Sequence, residues 1–241
     1  MIPILFIDFD GTITTEDVGD GFFEHFGGPV CREHVAAYRA EEISAVECFR
    51  RETAAMRPFT EEEANAFLRT KRLTAGVPEF IRFCRERGIE LHILSDGLDY
   101  YIRRILGNEG LGDLSVHANR FVLLEGEEGK RTGFFDAPGR AEECDRCANC
   151  KRNHLLRLAG EEHCIIYVGE GYSDRCAAQY ADIVFAKDDL QRFCQAENIS
   201  YHVYDDFHDI RVRLDGLLSR KRLRKRRRAE LKRREAFTSE A

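Results

Sequence analysis

The chain opens on a short apolar run that ends directly in Asp8-Phe9-Asp10-Gly11-Thr12. Residues 3–9 read as a buried strand entering a turn, because a compact apolar run stops at acids and a glycine. Successive side chains on a strand point to opposite faces. At the carboxyl end the backbone curls, so two acids spaced i, i+2 can reach one crevice. Such a pair offers a carboxylate nucleophile, a carboxyl for proton transfer and a place for a hard cation. The bland alternative is that both acids cap a helix starting near Thr14.

The same grammar returns further along. Residues 89–94 are apolar and run into Ser95-Asp96-Gly97, and 163–168 run into Gly169-Glu170-Gly171-Tyr172-Ser173-Asp174. A shorter run covers 182–185. Amphipathic helical stretches separate these strands. The alternation predicts an α/β fold with a doubly wound, mostly parallel sheet and ligands at the carboxyl ends of its strands.

Residues 15–70 contain no convincing strand and are helically periodic, with a capping box at Thr60-Glu61-Glu62-Glu63. The expected organisation is therefore a core of 1–13 and 75–218, a small helical cap over 14–74 and a second small insert near 113–148. In that insert, 121–124 and 132–135 suggest a hairpin. Hydrophobic residues make up 43% of the 241 residues, enough for one sizeable core.

Three strand ends, together with Lys151 at the start of a predicted helix, bring two acidic pairs, a hydroxyl and an ammonium to one edge of the sheet. Phosphoryl transfer needs this inventory: positive charge for the phosphate oxygens, and a hydroxyl with backbone N–H groups to orient the group. Arg152 is the rival of Lys151 for the cationic role.

In order along the chain, Asp8–Thr14, Ser95–Asp99, Lys151 and Glu170–Asp174 resemble the haloacid dehalogenase-like (HAD) phosphatase superfamily. The resemblance is to its phosphoserine-phosphatase-like branch. It implies a Mg²⁺-dependent phosphomonoesterase acting on a small phosphate ester through an aspartyl phosphate. Asp8 would be the nucleophile and a metal ligand. Asp10 would be the acid/base and give its carbonyl to the metal. Ser95 and the Gly97 region would hold the phosphoryl group, with Thr12 and Asp96 nearby, and Lys151 would neutralise charge. Glu170 and Asp174 would complete the metal site, with the direct ligand left open, because the family usually has Asp where this chain has Glu170.

The opening motif, Ser95-Asp-Gly-Leu-Asp99 and the cysteines before Lys151 are most similar to the methionine-salvage group. That group acts on a 2-hydroxy-3-keto-5-methylthiopentenyl-1-phosphate type of substrate. Alternatives are a phosphocholine/phosphoethanolamine phosphatase, a phosphoserine phosphatase in which Asp17 meets an amine and Arg50 or Arg51 a carboxylate, or a weakly active phosphate-ester-binding or regulatory protein.

Cys144, Cys147 and Cys150 have the spacing of thiolates that share Zn²⁺. They are a candidate zinc site, weighed against a reduced structural cluster. The other six of the nine cysteines lie singly. No apolar stretch is long enough for a membrane span and no signal-type leader opens the chain, so a soluble, cytoplasmic protein is expected. The last 22 residues hold eleven Lys/Arg and three Glu; that +8 against a total of −6 leaves −14 for the rest. A nucleic-acid or acidic partner for this tail is possible on charge alone. The favoured reading is a frayed or disordered extension with some docking on the acidic body.

Overall fold

In a computed structural model, residues 1–219 and 223–239 are described. Seven strands form a sheet in the order β4-β3-β2-β1-β5-β6-β7. They are β1 (Ile2–Ile7), β2 (Glu90–Leu98), β3 (Ser115–Glu125), β4 (Arg131–Asp136), β5 (His163–Gly169), β6 (Ile183–Ala186) and β7 (His202–Val203). Pairing is parallel from β2 through β1, β5 and β6 to β7, and antiparallel between β3 and β4. This is the expected α/β architecture. The two-residue β7 had no signal in the sequence.

The chain divides into two compact units. The first comprises 1–13, 73–94 and 151–241, and the second 14–72 and 95–150. The sequence reading assigned 95–112 to the core and treated 113–148 as a separate insert; here all of 95–150 groups with 14–72.

In the first unit, β1 pairs with β5 from Ile2↔His163 to Ile7↔Val168. Strands buried on both faces lose the polar alternation of half-exposed ones, and Ile4 to Ile7 are accordingly fully buried. Ile4 and Phe6 pack with Leu155, Ile165, Tyr167, Val184 and Leu190 in one apolar cluster. Helix α5 (Val77–Glu86) enters through Gly76 at φ +82°, where a Cβ would meet the His208 backbone nitrogen at 2.9 Å.

The second unit begins with four helices, α1 (Val18–Gly27), α2 (Val30–Arg39), α3 (Ala45–Ala55) and α4 (Glu61–Leu68). Asp17, Ser44 and Thr60 cap α1, α3 and α4, the last through the complete capping box with Glu63. The unit's core is aromatic. Phe22 contacts Phe26, Phe59, Phe67, Tyr100, Tyr101 and Phe121 at centroid separations of 4.9–6.4 Å. Each such pair adds roughly 0.5–1.5 kcal/mol beyond area burial. The predicted hairpin is present as β3 and β4, in register from Arg120↔Asp136 to Glu125↔Arg131.

In the favoured reading of the tail, the docking on the acidic body is present, and the frayed or disordered extension is corrected to a helix over Arg227–Ser239. Arg226 donates to the carbonyls of Ala178, Gln179 and Ala181, which end the six-residue helix Arg175–Tyr180. Beyond it, Arg233 in the helix Arg227–Ser239 pairs at 2.9 Å with the fully buried Asp182 carboxylate. Basic residues at a helix C-terminus satisfy its orphan carbonyls, and this fixes the described part of the tail. Residues 220–222 and 240–241 lie outside the described residues. Among the described residues no helix is long and apolar enough to cross a membrane.

Candidate active site

Asp8 follows β1 directly, and its N–H donates to Val168 O at 2.9 Å, so the end of β5 holds it. The chain then winds through Phe9–Ile13, with Gly11 at φ +67°. A side chain resists this left-handed conformation, which accounts for the glycine between Asp10 and Thr12. Thr74 secures the far side, its hydroxyl and N–H donating to Thr12 O and Ile13 O, both at 2.8 Å.

Lys151, the first residue of the helix Lys151–Leu158, is 1% exposed. Its Nζ donates to Asp8 Oδ1 and Asp174 Oδ1, each at 2.6 Å. Burial alone would disfavour the ammonium, but the Asp174 and Asp8 charges outweigh it and raise Lys151 above the usual lysine value. Burial, then the Asp174 charge, hold the Asp8 carboxyl well above the usual carboxylate range, against the pull of Lys151. Asp10 adds a further push in the same direction.

Asp174 is the hub of the cluster. Its Oδ1 accepts from Lys151 and from the Tyr167 hydroxyl at 2.5 Å, and its Oδ2 from the N–H groups of Glu170 and Gly171, both at 2.9 Å. A carboxylate with four donors is committed to positioning. Tyr167 was read only as a strand residue; burial, with the Asp174 and Asp8 charges, keeps it a phenol. Tyr204, likewise unforeseen, is buried and donates to Gly169 O at 3.2 Å. Glu170 lies over the first turn, since a Cβ on Gly11 would come within 3.0 Å of Glu170 Oε1.

A family model described as haloacid dehalogenase-like hydrolase matches residues 5–179. The chain belongs to this family. Among its relatives is a 2-hydroxy-3-keto-5-methylthiopentenyl-1-phosphate phosphatase from Bacillus cereus (strain AH187), 29% identical over 89% of this chain and 96% of that protein. The protein of that name from Geobacillus kaustophilus (strain HTA426) is 31% identical over 86% and 93%. Among solved structures, a substrate-bound phosphoserine phosphatase aligns with a TM-score of 0.67 at 19% identity, covering 87% of this chain and 97% of that one. A phospho-aspartyl intermediate analogue of phosphoserine phosphatase gives 0.65 at 17%, with the same coverage. These two likenesses concern the fold.

In this HAD-like hydrolase, Asp8, Asp10, Thr12, Lys151, Glu170 and Asp174 all belong to the first unit, whereas Asp17, Arg51, Ser95, Asp96 and Gly97 belong to the second. Ser95 is fully buried, and its Oγ accepts from Gly97 N at 2.9 Å. Asp96, expected near substrate, accepts instead from the N–H of Asn149 at 2.7 Å and from Asn119 Nδ2. Asn149 also donates to Ser95 O and His117 O at 2.8 and 3.0 Å. It ties the loop two residues before Lys151 to the end of β2, and no motif in the sequence pointed to it. Asp17 caps α1 by accepting from Asp20 N at 2.8 Å. Arg51, expected to meet a substrate carboxylate, lies on the exposed face of α3 and pairs with Glu47 at 2.8 Å, one helical turn away.

Mg²⁺ suits the donor set of the first unit. Four carboxylates (Asp8, Asp10, Glu170 and Asp174) come from the turns around the buried Lys151, and at Asp8 the charges of Asp174 and Asp10 add to burial in raising the carboxyl. Asp174 is engaged by four donors, so Asp8, Glu170 and the Asp10 carbonyl are the groups that would hold the ion. Mg²⁺ is commonly held by one or two carboxylates, with water and substrate phosphate completing the shell. Among the described residues no three His, Cys, Asp or Glu side chains are set to hold a metal. Two side chains and a carbonyl are compatible with that. For Zn²⁺ at Cys144, Cys147 and Cys150 it gives no support.

Proposed function

We propose that this chain is a Mg²⁺-dependent phosphomonoesterase that works through an aspartyl phosphate on Asp8. The observation that carries this reading is the buried Lys151 bridge between Asp8 and Asp174. It fixes one oxygen of Asp8 and leaves the carboxylate oriented from the end of β1. The Asp8 carboxylate attacks phosphorus and the bond to the ester oxygen breaks. Asp10 gives its proton to that oxygen, then takes one from the water that attacks the acyl phosphate. Phosphate leaves and Asp8 is restored. Lys151 offsets charge at Asp8 throughout. When bound by Asp8, Glu170 and the Asp10 carbonyl, Mg²⁺ supplies positive charge for the phosphate.

The proposed substrate is the enol phosphate named for the Bacillus and Geobacillus relatives, which match this chain over nearly their full length. Arg50 and Arg51, either of which was expected to meet a phosphoserine carboxylate, are both exposed, and Arg51 pairs with Glu47, which speaks against phosphoserine.

The test is phosphate release from that enol phosphate, phosphoserine, phosphocholine and phosphoethanolamine, with and without Mg²⁺. We expect Mg²⁺-dependent turnover with the highest kcat/KM for the enol phosphate, and loss of turnover with an intact fold in Asp8→Asn. Undiminished activity in that variant would overturn the mechanism, and a preference for another ester would overturn the substrate.

A further inference from the structure

The helical part of the second unit holds a cavity of about 330 Å³ between α1, α2 and α3. Glu52 of α3 lines it while being only 3% exposed. Its Oε2 accepts a weak hydrogen bond from the Cys48 thiol at 3.7 Å, and its Oε1 is buried with no hydrogen-bond partner. A buried carboxylate oxygen left without a donor carries a substantial desolvation cost. Natural interiors leave few such groups unexplained, and a ligand is one explanation.

The charges around the cavity define what would fit. Three carboxylates line it, from Asp20, Glu24 and Glu52, against two guanidiniums, from Arg32 and Arg39. Glu24 is engaged by Arg32 through both guanidinium arms. Arg39 reaches Asp20 only loosely, at 3.8 Å. With all three carboxylates ionised, as a bound cation would favour, the residual charge is one negative unit, shared by Glu52 and Asp20. No aromatic ring lines the cavity, so it lacks the cage that selects quaternary ammonium groups.

We propose that this cavity binds a small organic cation bearing one primary ammonium group, with Glu52 Oε1 as its counter-ion and Asp20 as a second acceptor. A primary ammonium brings three N–H donors and one charge, the two things missing here. Burial, and then the charge of each group's acidic neighbours, raises the Asp20 and Glu52 carboxyls in the absence of a ligand. A bound cation opposes that trend. The proposal does not depend on phosphatase activity, because every group in it belongs to the helical segment.

The experiment uses the full chain and ethylammonium chloride as probe, titrated calorimetrically at constant ionic strength and near neutral pH, with tetramethylammonium chloride as comparison. We expect saturable one-to-one binding of ethylammonium, and binding of tetramethylammonium weaker by about tenfold or more. Glu52→Gln keeps the shape and removes the charge, and should weaken ethylammonium binding by about tenfold or more. Should that variant fail to fold, Ala36→Leu decides, since it fills the cavity and leaves the carboxylates in place; it should abolish binding. Asp8→Asn should bind the probe as the parent does, which separates this site from the proposed catalytic one. Absence of saturable binding to the parent chain, or binding undiminished in a folded Glu52→Gln or Ala36→Leu variant, would overturn the proposal.

Discussion

Lys151 Nζ lies 2.6 Å from Asp8 Oδ1, between side chains that are 1% and 7% exposed, and the same nitrogen is 2.6 Å from Asp174. One buried ammonium therefore serves two carboxylates that come from different strand ends. Removing it leaves both without their shared cation. Lys151→Met, which keeps the length and loses the charge, should abolish phosphate release. It should also destabilise the fold by about 3–5 kcal/mol, the usual cost of breaking a buried ion pair from one side. Denaturant unfolding followed by circular dichroism measures the second effect. A variant as stable as the parent would show that the three groups are not coupled as the geometry indicates.

Gly11 offers a sharper probe of the metal-side geometry. Its φ of +67° is costly for any residue with a Cβ, and that Cβ would sit 3.0 Å from Glu170 Oε1. Gly11→Ala should cost roughly 1–2 kcal/mol from backbone strain alone and displace the Glu170 carboxyl. The expected result is a lowered melting temperature and a higher Mg²⁺ concentration for half-maximal activity. Glu170→Asp shortens the same carboxylate without straining the turn. It should change the Mg²⁺ requirement while leaving the melting temperature near that of the parent. An unchanged Mg²⁺ requirement in both variants would make Glu170 peripheral.

The parallel strands were legible because β1, β2 and β5 are buried on both faces and read as unbroken apolar runs that stop at Gly-containing turns. Asp8, Lys151, Glu170 and Asp174 stood out because each sits at such a stop or at a helix start. The role of Asp174 was not legible. Its four donors come from Lys151, Tyr167 and two backbone N–H groups, a set defined only by the folded turn. Asn149 was hidden for a similar reason, since its partners Ser95, Asp96 and His117 lie 32–54 residues away. Arg51 and Glu52 show the limit of pattern on a helix. One residue of displacement rotates a side chain by about 100°, enough to send Arg51 to solvent and Glu52 into the interior.

The tail makes a structural contribution that charge counting obscured. Arg233 pairs with the buried Asp182, whose other oxygen accepts from Ile165 N at 2.9 Å within β5. Arg233→Ala should destabilise the protein by about 2–4 kcal/mol, because Asp182 is left buried with less compensation. Truncation after Ser219 should cost at least as much, since it also removes Arg226 from three helix-end carbonyls. Thermal unfolding of the two variants checks this. A truncated chain that melts with the parent would return the tail to the status of a dispensable extension.

Glu52 gives the pH dependence a definite sign. Burial, then the Asp20 charge, pushes its carboxyl up to about 8, with the Cys48 hydrogen bond pulling the other way and Asp17 adding to the rise. In the unfolded chain the same group titrates near 4.3. Between these values the folded state holds a proton that the unfolded state has released, so stability falls as pH rises through this window. The stabilising contribution is complete below the unfolded value and is lost by about pH 8. Glu52→Gln removes the titration. It should therefore be more stable than the parent at pH 8 by on the order of 2–4 kcal/mol, with the difference shrinking toward pH 5. Urea unfolding of both proteins across pH 5–8 measures the slope. Parallel stability curves for the two would show that Glu52 is ionised in the folded state throughout that range.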